Sequence, residues 1–386
     1  MFFKKISIFI PLISLFGCIN QNSKRIVVVY YKNNPPFYIS DVLSMVEVES
    51  QNKKYKNQYV FKASESNYDI DFTYSNDSKY KRSVLPNYDY LFDFVNQNNK
   101  DNGEYSFLFS TYGTSYNPKY IDASSLITFD SIKSIGDIEV YMNYFDVLPY
   151  LINDKVLDES YFYVDNNVFK SSITDDQYQL LSLINDYFVN YISIKYAPEY
   201  ASLDNNDILI ASTMTFSSTK RDSQDEICFT LNPSLYINDL HINPKIPIGG
   251  YYHYYVMEDS KLSDSNIQEI YELFISEQIQ NKLIESNNYS LFPVNKNVYH
   301  DEKHQNVLKD FINLSSDNIV DYSHSDIIAN YNKWVFTSTF IKAIYLVKED
   351  KDFTFKDYVD YLLNELNNGN VSVRDYAAFI KKTLNN

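Results

Sequence analysis

The sequence predicts an α/β protein of two lobes, each a sheet flanked by helices, and three observations carry that expectation. The length of 386 residues exceeds what one hydrophobic core usually holds. Runs of β-branched and aromatic residues alternate with amphipathic helical runs along most of the chain. The stretch 246–299 condenses that alternation into a Gly-Gly pair, a strand, a helix and a proline exit.

Taken in order, Met1 to Lys5 is a short basic start, and Ile6 to Phe16 is an apolar run broken only by Ser7, Pro11 and Ser14. This predicts a signal peptide over residues 1–17, too short for a stable membrane span. It ends in Leu15-Phe16-Gly17-Cys18, which resembles a bacterial lipobox. The expectation is lipidation at Cys18, with acyl chains holding an exported protein to a membrane of the cell envelope at roughly 0.8 kcal/mol per buried methylene. The alternative is an ordinary signal peptide with a chance cysteine. Residues 18–24 form a polar tether, and no later apolar run is long enough to cross a membrane. With Cys18 acylated, Cys228 has no disulfide partner, and its apolar neighbours Ile227 and Phe229 predict a buried, inert thiol.

Formal charge is −16, and about −18 once residues 1–17 and their two lysines are removed. A body so acidic, with no basic stripe, excludes nucleic acid as a partner. The 38 tyrosines and 26 phenylalanines accompany many Asn, Ile and Lys, all with A/T-rich codons, so composition is silent about the ligand.

Arg25 to Tyr31 reads as a buried parallel strand, the first of an α/β sheet. Ligands gather beyond the carboxyl ends of such strands, which makes Tyr31 to Asn34, with Tyr31 and Asn33 foremost, candidate site residues. Further strands are expected at 59–61 and 68–72, and a helix at Tyr88 to Asn96. Residues 104–120 read as a strand closed by Tyr116-Asn117-Pro118, followed by a helix over 176–191 and a strand at 207–211. Pro247 and Gly249-Gly250 predict a turn or a close backbone approach before the strand 251–256. Ser263 or Asp264 caps one helix whose apolar stripe runs to Leu283, with Asn287-Asn288 ending it. Helical patterns recur at 307–312, 327–346, 355–366 and 373–384.

No nucleophile elbow, phosphate loop, dinucleotide fingerprint or C-x-x-C occurs. His300 and His304 share a helical spacing, but Asp301 stands where a zinc protease needs Glu, so a solvated helix start is the better reading. The expectation is therefore no enzyme, no metal and no cofactor.

The order of features over 246–299 resembles the family 1 solute-binding proteins of ABC importers, the maltose-binding type. Gly249-Gly250 precedes a strand, Ser276-Glu277-Gln278-Ile279-Gln280 matches the family's (S/T)-E-x-x-Q step, and Phe292-Pro293-Val294 to Tyr299 matches its exit. The resemblance implies the two-lobed type II periplasmic-binding-protein fold. Lobe 1 is then 25–120 with 248–299, and lobe 2 is 121–247 with 300–386, crossing near Tyr116 and Gly249-Gly250. It implies a monomeric, lipid-anchored receptor that closes on a small solute, a sugar or oligosaccharide, and hands it to permease subunits. It places Tyr31, Asn33, Tyr116, Tyr251 and Trp334 around the interlobe cleft, with buried helix packing the alternative for Trp334. Two departures stand out: the family's x-D-v-v strand is vague at Tyr68 to Thr73, and Met214-Thr215-Phe216-Ser217 replaces a glycine-tryptophan phrase. They keep open a surface lipoprotein that uses the scaffold for adhesion or host contact.

Overall fold

Alternating strand and helix patterns fold here around two separate cores. The computed structural model describes residues 24–36, 39–73, 78–81, 85–136, 138–142, 148–151, 156, 161–166, 168–191, 207–212, 227–285, 292–300, 319–321 and 354–370. The strands are β1 (Arg25–Lys32), β2 (Asn57–Ser64), β3 (Ile70–Asp71), β4 (Tyr105–Tyr116), β5 (Val140–Met142), β6 (Phe162–Asp165) and β7 (Val168–Ser171). They continue with β8 (Ile208–Ser212), β9 (Cys228–Thr230), β10 (Leu235–Ile237), β11 (Leu240–Ile242), β12 (Ile246–Val256), β13 (Phe292–Pro293) and β14 (Ile319–Asp321). The helices are α1 (Ile39–Ser50), α2 (Asp93–Asn102), α3 (Phe129–Lys133), α4 (Leu148–Leu151), α5 (Asp175–Tyr191), α6 (Asp264–Phe274), α7 (Glu277–Glu285) and α8 (Phe355–Asn367).

Ten strands form one sheet in the order β2-β1-β3-β12-β4-β8-β5, with β13 and β9 on β4 and β14 on β12. β1 runs parallel to β2 and β3, whereas β12 is antiparallel to β3 and β4. The first core joins β1, β2, β12 and the start of β4 to α1, α2, α6 and α7; the second joins the end of β4 and β8 to α3, α5 and α8. Tyrosine fills much of the first core. Tyr105 stacks on Tyr254 at 5.0 Å, and Tyr271 lies edge-on to Tyr105 at 5.8 Å. Each buried hydroxyl needs a partner. Tyr271 donates to the Ser106 carbonyl and Tyr59 to Glu269, both at 2.7 Å, while the Tyr254 hydroxyl has no partner among the described residues.

Local chemistry sets the helix ends. The Ser263 hydroxyl accepts the Asn266 N–H at 3.3 Å and starts α6, and Thr354 with Asp357 forms a reciprocal capping box on α8. Gly103 ends α2 at φ 68°, the left-handed conformation that glycine adopts without steric cost.

The structure corrects several expectations. β1 is not buried on both faces, since Ile26 is 61% and Tyr30 42% exposed. The link from β2 to β3 is only residues 65–69 and contains no helix that could cover that face. The helix expected at Tyr88 to Asn96 begins at Asp93, because Leu91 is held in a bridge with Asn295 and Phe92 is extended. Gly249-Gly250 makes no turn. It sits inside β12, where the register slips between Ile248 and Gly250 as a bulge, and a Cβ on Gly250 meets only the Ser110 hydroxyl at 3.7 Å. The single helix after Ser263 is two helices, broken at Ile275-Ser276, where Asn295 donates to the Ile275 carbonyl at 2.8 Å. β14, absent from the sequence reading, lies parallel to Ile246–Ile248. Cys228 is buried, as expected.

Candidate functional site

β4 passes from one core to the other, with Tyr105, Phe107, Leu108 and Phe109 in the first and Tyr116 in the second; β5, β8 and β9 also place residues in both. The first half of β4 pairs with β12 and β13; from Tyr112 onward it pairs with β8 and β9. Its composition changes at the same point. Tyr105, Phe107, Leu108 and Phe109 belong to the first core, whereas Ser110, Thr111, Thr114, Ser115 and Asn117 are buried polar residues. Gly113 is the tightest contact of the crossing: a Cβ there meets the Thr230 carbonyl oxygen at 2.5 Å and the Phe229 ring at 2.6 Å. A lone glycine inside a strand run signals such an approach, and this one was legible in Tyr112-Gly113-Thr114.

The first core is clamped to this strand by the (S/T)-E-x-x-Q step. Gln280, fully buried, donates to the carbonyls of Phe107 at 2.8 Å and Phe274 at 2.9 Å, and accepts the Val294 N–H at 2.9 Å. One side chain thus satisfies β4, the end of α6 and the exit strand together.

At the carboxyl ends of β1 and β3, Lys32 pairs with Asp71 at 2.8 Å. Asp71 is buried, and it also accepts the Thr73 N–H and hydroxyl, each at 2.8 Å. Its hydrogen bond to Lys32 holds that ammonium above its ordinary value, against partial burial that lowers it. Tyr80 lies 3.4 Å from Asp71 and stacks on Tyr255 at 4.5 Å. Tyr255 in turn donates to Glu104 at 2.7 Å. Donors on both carboxylates fix the strand ends in place. Lys32 falls in the stretch Tyr31 to Asn34 that the sequence marks as candidate site residues, but its pairing with Asp71 was missed, because their meeting depends on the register Tyr31↔Ile70 between separated segments.

Of the residues expected around the cleft, Tyr31 and Tyr251 are half-buried at the margin of the first core. Tyr31 lies edge-on to Phe72 at 6.3 Å, and Tyr251 lies 6.4 Å from Phe94. Asn33 is exposed and donates its backbone N–H to Ser64 at 2.9 Å. Tyr116 is buried in the second core, opposite Cys228, with little surface for a ligand. Trp334, Cys18, His304 and Met214 to Ser217 lie outside the described residues. Two grooves found among the described residues lie elsewhere: one of about 840 Å³ beside α6 and α7, and one of about 770 Å³ along the amino-terminal half of β1. The polar side chains of the crossing are neutral but buried, Thr111, Thr114, Ser115 and Asn117 at 0% exposure, so in this conformation they face the interior.

Three solved structures are similar to this chain across nearly its whole length. The cyclo/maltodextrin-binding protein complexed with maltotetraose matches with a TM-score of 0.61 at 10% identity, over 90% of this chain and 98% of its own. The cyclic alpha-maltosyl-1,6-maltose binding protein from Arthrobacter globiformis matches at 0.58 and 12% identity, over 89% and 98%. The maltose-maltodextrin binding protein of Alicyclobacillus acidocaldarius matches at 0.57 and 12%, over 88% and 99%. No protein-family model and no curated sequence matches the chain. The likeness establishes the fold, a two-lobed type II periplasmic-binding-protein architecture.

Proposed function

We propose that this chain is a solute receptor that closes its two lobes around a small neutral ligand, a sugar or oligosaccharide, and delivers it to ABC permease subunits. The observation that carries the reading is the β4 crossing: one strand shared by two cores, turning from aromatic to hydroxyl-bearing where the cores meet. Solved neighbours of the same fold bind maltodextrins, which supports the ligand class. Closure follows from contacts that the ligand makes to both lobes only when they are shut, since a ligand shifts an equilibrium by its differential affinity alone. Lobe 1 is assigned 25–120 and 248–299, and lobe 2 the remainder after the tether. Tyr31, Asn33, Tyr116, Tyr251 and Trp334 are proposed ligand contacts, and Cys18 the membrane anchor.

Titration calorimetry of the mature chain against neutral mono- and oligosaccharides, read beside tryptophan emission, tests this. Saturable heat with a changed Trp334 signal supports the site. Heat without an emission change removes Trp334 from the site, and no heat with any sugar overturns the sugar assignment. The anchor is tested separately, by loss of fatty-acid label in a Cys18→Ser variant. The second reading, a displayed scaffold used for contact with other proteins, is favoured by one observation: the uncovered apolar face of β1.

A further inference from the structure

β2 and β3 lie on opposite sides of β1 and run parallel to it. Parallel strands so placed need a crossover of about a dozen residues or more to return to the start of the sheet. Here the crossover is residues 65–69, so the chain never returns. β3 begins level with the end of β1, pairing it only at Tyr31↔Ile70. Among the described residues, the amino-terminal half of β1 therefore has a strand neighbour on one side only.

The register identifies which backbone groups are left open. Asn33 donates to Ser64 beyond β2, whereas Tyr30 accepts the Asp69 N–H and donates to the Asp69 carboxylate. Backbone groups alternate sides along a strand, so Val28 and Ile26 face the same way as Tyr30. Neither has a backbone partner on that side among the described residues. Their side chains, with Tyr30, form the exposed apolar face of β1. The opposite wall is the segment 259–263 that follows β12, and together they enclose the groove of about 770 Å³. Asp69 closes the inner end, accepting the Ser260 hydroxyl at 2.7 Å.

β3 begins only at Ile70, so the groove beside the amino-terminal half of β1 lies where β3 would continue between β1 and β12. An extended segment there would prolong the sheet, whereas a helix satisfies its own backbone groups and leaves the strand edge unpaired. Arg25, Lys261 and Asp259 line the opening, all exposed, and the two cations have no ion pair among the described residues, in a body of net charge −16. From these features we infer that this slot binds an extended segment of a partner protein as an added parallel strand, with an acidic side chain at its amino-terminal end facing Arg25 and apolar side chains over Ile26, Val28 and Tyr30. Main-chain hydrogen bonds to Ile26 and Val28 supply the recognition common to strand addition at exposed edges.

The probe is a blocked seven-residue peptide of alternating valine and threonine with an amino-terminal glutamate, added to the mature chain. Amide exchange at Ile26 and Val28 is expected to slow at least tenfold, with Val27 and Val29, already facing β2, unchanged. A peptide N-methylated at the positions facing β1 keeps its side chains but loses its donors, and is expected to bind at least tenfold more weakly; an Arg25→Glu variant is expected to weaken the unmodified peptide severalfold. Equal binding of the N-methylated peptide, or no protection at Ile26 and Val28, overturns the inference. So does protection that rises with protein concentration alone, which would assign the edge to a second copy.

Discussion

The two halves of β4 show how one strand serves two purposes. From Tyr105 to Phe109 it is mostly aromatic and tied by side chains to three helices, through Asn98 and Asn99 of α2 to Ser106, Tyr271 of α6 to Ser106 and Gln280 of α7 to Phe107. From Ser110 to Tyr116 it carries hydroxyls and a glycine, and the strands paired with it are β12 at Ser110 and Thr111, then β8 and β9, whose Phe229 and Thr230 press on Gly113. The first half is rigid because several elements must move together to release it. The second half is held by strand pairing, by the close contact at Gly113, by a hydrogen bond from Thr114 to Asn232 and by Tyr116 in the second core, and the proposed closure would act across this joint.

If that contrast is right, Gln280→Ala gives the largest effect. It strands two carbonyls and one N–H in the first core, and a loss of about 2–4 kcal/mol is expected in denaturant unfolding. A loss below about 0.5 kcal/mol would show that Gln280 is no clamp. Gly113→Ala comes next. The new methyl meets a backbone oxygen at 2.5 Å, so about 1–3 kcal/mol of overpacking is expected, with ligand affinity changed as well because the crossing shifts. Unchanged stability and affinity would place the joint elsewhere.

A smaller contrast lies inside the first core. Tyr271→Phe removes a hydroxyl bonded to Ser106 and Asn99, and about 1–2 kcal/mol is expected to be lost. Tyr254→Phe removes a hydroxyl with no described partner, and stability is expected to hold or rise by up to about 1 kcal/mol. Equal losses in both variants would refute the role given to the Tyr271 bond.

The smallest expected effect is on pH dependence. Burial pushes the Glu269 carboxyl up, but hydrogen bonds from Tyr59, Asn57 and the Lys56 N–H outweigh it and hold the group below its ordinary 4.5. A lowered carboxylate pKa contributes stability that is present above the unfolded value and lost as pH falls through the folded one. Acid unfolding should therefore steepen below about pH 4.5, and Glu269→Gln should flatten that limb. An unchanged limb would show that the cluster contributes nothing to pH dependence.

Much of this architecture was legible, and what was not has physical causes. β1, β2, α5, α8 and the Ser263 cap follow from local pattern, because apolar period and capping chemistry act over a few residues. The Gln280 clamp was visible only as a spaced motif; its meaning needed the three backbone groups around it. The open half of β1 escaped because an all-apolar strand looks the same whether one face is covered or two. Whether it is covered depends on the length of the next connection. Lys32 with Asp71, and β14 beside β12, are consequences of register, which no single segment encodes.

Small-angle X-ray scattering on the mature chain, with and without a saturating sugar found by calorimetry, tests the central claim most directly. The account gives a smaller radius of gyration for the bound form, as the two cores close about β4 and β12. Saturated binding with an unchanged radius would contradict closure at the crossing.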